Sequence, residues 1–288
     1  PRGRQDLMSA RTPLFHAEHT GRYVRQELIA QYQELSGANL IVVIDQITAT
    51  NMTILEELLV DCDSAKDLHL LLCSPGGDGE TALRMVRSMQ ARCRELTILV
   101  PDMAKSAATI VCLGAHHIVM GPGGDLGPID PQMIFTDDSG RPSMASAKDI
   151  VAAVEEAEQR TTTNPGSYAL FASLLADVNM LMLAQARSAL SRSQALMTEA
   201  LSAQNRTESE VEELTKTLQK PLIDTPASHS AVISVDHAHS FGLPAVPADL
   251  EDDEWKIVWS LWTHYFSMGC WPAGHAGIYE GIRASHTG

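Results

Sequence analysis

Apolar positions along this chain fall into two patterns, short unbroken runs and longer stretches spaced at helical intervals. The runs are Leu40-Ile41-Val42-Val43-Ile44, Leu68-His69-Leu70-Leu71-Leu72, Leu96-Thr97-Ile98-Leu99-Val100 and His117-Ile118-Val119-Met120. Their length and lack of alternation predict strands covered on both faces. Between them, Met52, Leu55, Leu58 and Leu59 predict a helix over 51–59, and Leu83, Val86, Met89 and Cys93 predict another over 79–93. Arg84, Arg87, Arg92 and Arg94 fall on the outer side of that second helix and read as a solvated face. Tyr23, Leu28 and Tyr32 share one face of a helix over 20–35 that Gly37 should end. Residues 106–114 are small and apolar and predict a short helix closing at Gly114.

The later part of the chain is mainly helical in pattern. An acidic, alanine-rich helix is predicted over 145–160 and a long apolar-striped one from Ser167 to Leu201. Thr207-x-x-Glu210 is a capping box opening a further helix toward Leu218. Asp137-Asp138-Ser139-Gly140-Arg141-Pro142 reads as an exposed loop or hairpin turn. Trp255, Trp259, Trp262 and Phe266 recur at helical spacing, which predicts an aromatic packing face. Strands alternating with helices imply right-handed crossovers and a mostly parallel α/β sheet. Periodicity alone does not separate a doubly wound sheet from other arrangements of such units.

Composition then narrows the classes of function. At 288 residues the chain fits one substantial domain with appendages. We divide it into an N-terminal helical arm (1–38), a main domain (39–250) with a helical insertion at about 145–220, and a C-terminal aromatic helical tail (251–288). A net charge of -15 argues against nucleic acid or an anionic membrane as the main partner. Five scattered cysteines are expected to be reduced thiols, in keeping with a cytoplasmic setting. Neither the cysteines nor the eleven histidines show metal-ligand spacing, so no metal and no cofactor are expected. No signal peptide or transmembrane segment is expected: the most apolar stretch, Tyr168 to Leu190, is interrupted by Asp177, Asn179, Gln185 and Arg187.

Candidate chemistry concentrates between Cys73 and Gln132. Ser74-Pro75-Gly76-Gly77-Asp78-Gly79 follows the second strand, where proline ends pairing and the glycines admit turns barred to other residues. Glycines also let a substrate carbonyl approach main-chain N–H groups, as an oxyanion hole requires. Ser106 stands at a strand-to-helix junction, where unpaired N–H groups and the positive helix end collect. Taken singly, such a serine is usually an N-cap and such glycines a plain turn. Their order on successive strand–helix units is what raises the catalytic reading.

Ser-Pro-Gly-Gly at 74–77, Pro-x-x-Ala-Lys-Ser-Ala-Ala-Thr at 101–109 and Gly-Pro-Ile-Asp-Pro-Gln at 127–132 resemble the serine dehydrogenase proteinase family. That family is distantly related to the Clp protease proteolytic subunit (ClpP) and the signal peptide peptidase A group. The likeness extends to Thr12-Pro13-Leu14-Phe15, Arg22-Tyr23 and Arg25-Gln26, and to Ser228-His229 through Phe241-Gly242-Leu243. It covers most of residues 12–245 and is loose after Leu250.

The resemblance implies a ClpP/crotonase-like fold of repeated ββα units, with a mostly parallel sheet and added helices. It implies a serine endopeptidase acting on peptide or protein substrates, assembled as a homo-oligomer, and leaves open whether an unfoldase feeds it. Carried over by motif, Ser106 is the nucleophile, His229 the general base and Asp130 the residue that orients it. Gly77 and Ala107 supply oxyanion N–H groups and Gly76 shapes the turn. Lys105 is a possible alternative base, because signal peptide peptidase relatives use a serine–lysine dyad; His237 and His239 compete with His229. Relatives are often membrane-associated, and this chain departs from them in lacking an expected span. Two other classes share the fold: a crotonase-type acyl-CoA enzyme, which needs no nucleophilic serine, and a non-catalytic scaffold paralogue.

Overall fold

The computed structural model describes residues 12–136, 142–224 and 231–287. In chain order its first elements are α1 (Pro13–Ser36), β1 (Asn39–Ile44), α2 (Asn51–Leu59), β2 (Leu68–Cys73), α3 (Gly79–Gln90), β3 (Leu96–Val100), β4 (Met103–Ala104), α4 (Ala107–Leu113), β5 (His117–Met120) and β6 (Asp125–Leu126). Then come β7 (Gln132–Thr136), β8 (Pro142–Ser146), α5 (Ala147–Thr163), α6 (Tyr168–Leu174), α7 (Met180–Leu201) and α8 (Glu208–Gln219). The chain closes with α9 (Val235–Ser240), β9 (Ala245–Pro247), α10 (Asp253–Ser267), β10 (Ile278–Glu280) and β11 (Ser285–Thr287).

Seven strands form the central sheet in the order β11-β10-β1-β2-β3-β5-β9. From β1 through β9 every pairing is parallel, while β10 runs antiparallel to β1 and β11 antiparallel to β10. Alternation along each buried strand divides the core in two. Ile41 and Val43 point to the face covered by α2, α3, α4 and the carboxyl half of α7. Leu40, Val42 and Ile44 point to the opposite face, onto Ile29 and Tyr32 of α1 and Trp255, Val258, Leu261, Trp262 and Tyr265 of α10. An unbroken apolar run is required because both faces are covered.

Beyond each central strand the chain makes one more short pairing before its helix. Ile47 bridges Gly77, Ser74 bridges Ala104, and β4 pairs in parallel with β6. This second layer gives the repeated ββα units that the motifs implied.

The helix expected over 79–93 closes at Gln90, that expected over 145–160 runs Ala147–Thr163, and three larger expectations change. First, α1 begins at Pro13 rather than near Thr20, with Thr12 capping the N–H of Phe15, and it ends as expected at Gly37 with φ 73°. Second, the long helix after Ser167 is two helices; the first ends at Leu174, and Asn179 caps α7 by accepting from Met182 N–H at 2.9 Å. Third, the aromatic tail includes strands as well as a helix. Ile278–Glu280 pairs with β1, and the Glu280 carboxylate is held in the core by Arg25 of α1 at 2.7 and 3.0 Å and by Tyr265 at 2.8 Å. Helices α1 and α10 are thus joined to strand β10 through one buried carboxylate. No helix among the described residues is long and apolar enough to cross a membrane.

Candidate active site

Ser106 is the one non-glycine residue with positive φ among the described residues, at φ 51° and ψ -112°. A side chain there is strained by about 1–3 kcal/mol, a cost that persists only where surroundings dictate the conformation. Ser106 does not cap α4, and its hydroxyl makes no hydrogen bond to any described residue. The ordinary N-cap explanation for this serine therefore fails. Such a sharp strand-to-helix turn also exposes the nucleophile in α/β-hydrolases.

The neighbours that dictate this turn can be named. Lys105 N–H donates to Ser74 O at 3.0 Å, and Ser74 N–H donates to Met103 O at 3.0 Å, so the end of β2 is zipped to the approach of Ser106. Ser74 Oγ accepts from Gly76 N–H at 3.1 Å. Gly76 has φ 104°, and a Cβ on it would lie 2.7 Å from Lys105 O and 2.8 Å from Ser106 Cβ. No side chain fits there. At Gly77, with φ 139°, a Cβ would lie 2.1 Å from Ile47 O. Gly76 O and Asp78 N–H both bond Ile47 at 2.8 Å, so the intervening N–H of Gly77 faces away from it. The N–H groups of Gly77 and Ala107 donate to no backbone carbonyl among the described residues.

On the other side of the turn runs the Gly-Pro-Ile-Asp segment. Thr109, fully buried on α4, lies with its hydroxyl 2.9 Å from Ala104 O and 2.8 Å from Gly127 O, and it accepts from Gly127 N–H at 3.2 Å. Its single proton serves one carbonyl at a time. Asp130 is 1% exposed, accepting from Ser146 Oγ at 2.6 Å and Gln132 Nε2 at 3.0 Å. Ser146 also caps α5 by accepting from Lys148 N–H at 3.2 Å, so a helix start holds the carboxylate.

Lys105 Nζ makes its contacts elsewhere than at Ser106. Its ammonium pairs with Asp125 and reaches Leu126 O at 3.3 Å and Ala231 O at 3.5 Å. Burial raises the Asp125 pKa against the lowering effect of Lys105, and Asp125 Oδ1 is buried with no partner among the described residues. Burial and the nearby Asp125 also raise the pKa of Asp102.

Of the candidate bases, His229 lies in 225–230, outside the described residues. His237 and His239 stand on the exposed side of α9, with His237 stacked on Phe241. The described chain flanking 225–230 is tied to the aspartate's segment: Ile129 N–H donates to Leu222 O at 2.8 Å, and Leu126 and Ile233 exchange two bonds of 3.0 Å. Sequence reasoning missed Thr109, Asp125, Gln132 and Ser146. Thr109 and Gln132 lie within the quoted motifs without a role assigned to them, and Ser146 carried a signal as a serine just before a helix. Among the described residues no group of three or more His, Cys, Asp or Glu is placed to hold a metal ion, and all five cysteines are free.

The profile of the ClpP-like SDH-type serine proteinase family matches residues 47–259, spanning Ile47, Ser106 and Asp130. The chain belongs to that family. An uncharacterized protein of Methanocaldococcus jannaschii is 32% identical over 91 residues, 32% of this chain and 29% of that protein. The match thus spans under a third of the relative's length. A 1510-N membrane-bound stomatin-specific protease with a serine-to-alanine substitution is 18% identical, with TM-score 0.44 over 73% of this chain and 78% of its own. A variant of ClpP1 from Listeria monocytogenes is 12% identical, with TM-score 0.40 over 78% of this chain and 99% of its own. Within the ClpP-like SDH-type family, this member has its serine strained, uncapped and beside two glycines whose side-chain space is already filled.

Proposed function

We propose that this ClpP-like proteinase is a serine endopeptidase in which Ser106 attacks the scissile carbonyl and His229 accepts its proton. His229 then returns the proton to the leaving amine, and water releases the acyl group from Ser106 by the same route. Asp130 orients the imidazole, Gly77 and Ala107 N–H groups receive the oxyanion, and Gly76 keeps the approach open. The observation that carries the reading is the Ser106 backbone at φ 51° with a hydroxyl left unbonded by the described residues. A serine that merely capped a helix would have neither property.

The choice of His229 as the base rests on its motif position, in the Ser228-His229 segment ahead of Phe241-Gly242-Leu243. Lys105, its ammonium committed to Asp125 and two carbonyls, serves to register the Ser106 turn.

The test is covalent labelling by a fluorophosphonate followed by intact mass. Wild type should gain one adduct, Ser106→Ala none, and His229→Ala should label at least about a thousandfold more slowly. Unchanged labelling in Ser106→Ala would overturn the assignment. We also propose that the protein assembles as a homo-oligomer through α6 and the amino half of α7, where Leu170, Leu174, Met180 and Leu181 are exposed. A monomeric native mass would exclude it.

A further inference from the structure

Outside the Ser106 turn, the carboxyl ends of β3 and β5 and the start of α10 enclose a cleft of ≈ 690 Å³. Pro101, Pro122, Trp255, Trp259 and Trp262 wall it, and Asp102 supplies a carboxylate. Trp255 and Trp262 are buried in the core beneath, whereas Trp259 is 50% exposed. That is a large indole surface for solvent to keep. Asp102 is half-buried, and its carboxylate accepts no hydrogen bond from any described residue. Lys105, whose charge acts on Asp102, is paired with Asp125.

Charge around the cleft is mainly negative. Between its lining residues Leu250 and Trp255 come Glu251, Asp252, Asp253 and Glu254, and Asp249 precedes them. The lone lining ammonium, Lys256, is already taken, 2.7 Å from Glu251 O and 3.3 Å from Asp253 Oδ1. A neutral apolar occupant would bury Asp102 further without a counter-charge, which is costly. Nucleic acid or an anionic lipid would be repelled by the acidic run. A planar, weakly hydrated cation suits all the lining groups together, because it stacks on indole faces while bonding a carboxylate.

We propose that this cleft binds the arginine side chain of a basic peptide segment, stacked on Trp259 and facing Asp102. The site needs no nucleophile and stands apart from the chemistry assigned to Ser106. Burial and Asp125 raise the proton affinity of Asp102 against the lowering effect of Lys105.

Intrinsic tryptophan fluorescence tests the assignment directly. The protein in its Ser106→Ala form, which avoids peptide turnover, is titrated with acetyl-Gly-Arg-Gly-Arg-Gly-amide and with the citrulline peptide of the same shape. A saturable change is expected with the arginine peptide and at least about fivefold weaker binding with citrulline. Trp259→Ala, at an exposed position, should abolish the arginine response. Asp102→Asn should bring the two peptides to equal affinity. Equal response of the unmodified cleft to both peptides, no saturable response, or undiminished binding in Trp259→Ala would each overturn the proposal. So would shielding of Trp259 from acrylamide in an assembled form, which would give this face to a second copy of the chain.

Discussion

Around Ser106 every residue of α4 from Ala107 to Leu113 is buried, whereas α6, only as long, buries none of Tyr168–Leu174. The first helix is packed by its own chain on all sides, so its entry turn can be held in a backbone conformation that a serine disfavours. The second presents Tyr168 at 70%, Leu170 at 59% and Leu174 at 66% exposure, apolar surface left open among the described residues. α7 contains the same contrast within one helix. Leu196, Met197, Ala200 and Leu201 enter the main core, while Met180 and Leu181 at its start face outward. Dense packing around Ser106 and open apolar surface on α6 are two outcomes of where the described residues run out of partners.

The hardest test of the packed region is Gly77→Ala. Its Cβ would lie 2.1 Å from the Ile47 carbonyl, which is backbone and cannot swing aside. Denaturant unfolding should show a loss of about 3–5 kcal/mol, and labelling at Ser106 should fall with it. A loss below about 1 kcal/mol would mean the glycine approach is looser than described. Next comes a matched pair. Leu72→Ala, fully buried in β2, should cost about 3 kcal/mol, and Leu174→Ala, two-thirds exposed, should stay within about 0.5 kcal/mol in the monomer. Similar losses at the two positions would erase the contrast drawn above.

A smaller effect is expected from the Lys105–Asp125 pair, whose side chains are 14% and 15% exposed. Lys105→Met should destabilise by about 2–3 kcal/mol by leaving the Asp125 carboxylate without its cation, and adding Asp125→Leu should restore most of the loss. If the double variant is no more stable than the single, the cost lies in packing against Gly127 rather than in charge. Smallest is Ser106→Gly, which should be more stable than Ser106→Ala by about 1 kcal/mol, because glycine tolerates φ 51° and alanine does not. Equal thermal midpoints would show that the turn carries no strain.

Much of the core was legible beforehand. The helix at Asn51–Leu59 and the strands at Leu96–Val100 and His117–Met120 fall on the predicted residues. Buried strands and amphipathic helices write their environment into local composition, so periodicity recovers them. The division after Ser167 was harder to see, since Leu174, Met180 and Leu181 continue an apolar stripe across the break. Short β10 and β11 carried no period at all. Glu280 is held in the interior by Arg25, 255 positions away.

Motif order by itself singled out Ser106, Gly76, Gly77 and the Gly-Pro-Ile-Asp segment, because close backbone approach demands glycine and sharp turns demand proline wherever they occur. Tertiary structure decided the rest. It bent Ser106 to positive φ, placed Thr109 between Ala104 and Gly127, gave Asp130 to the cap of a later helix, and sent Lys105 to Asp125. Those outcomes depend on which distant groups meet, and hydrogen-bond partners far apart in the chain leave no mark on local residue order.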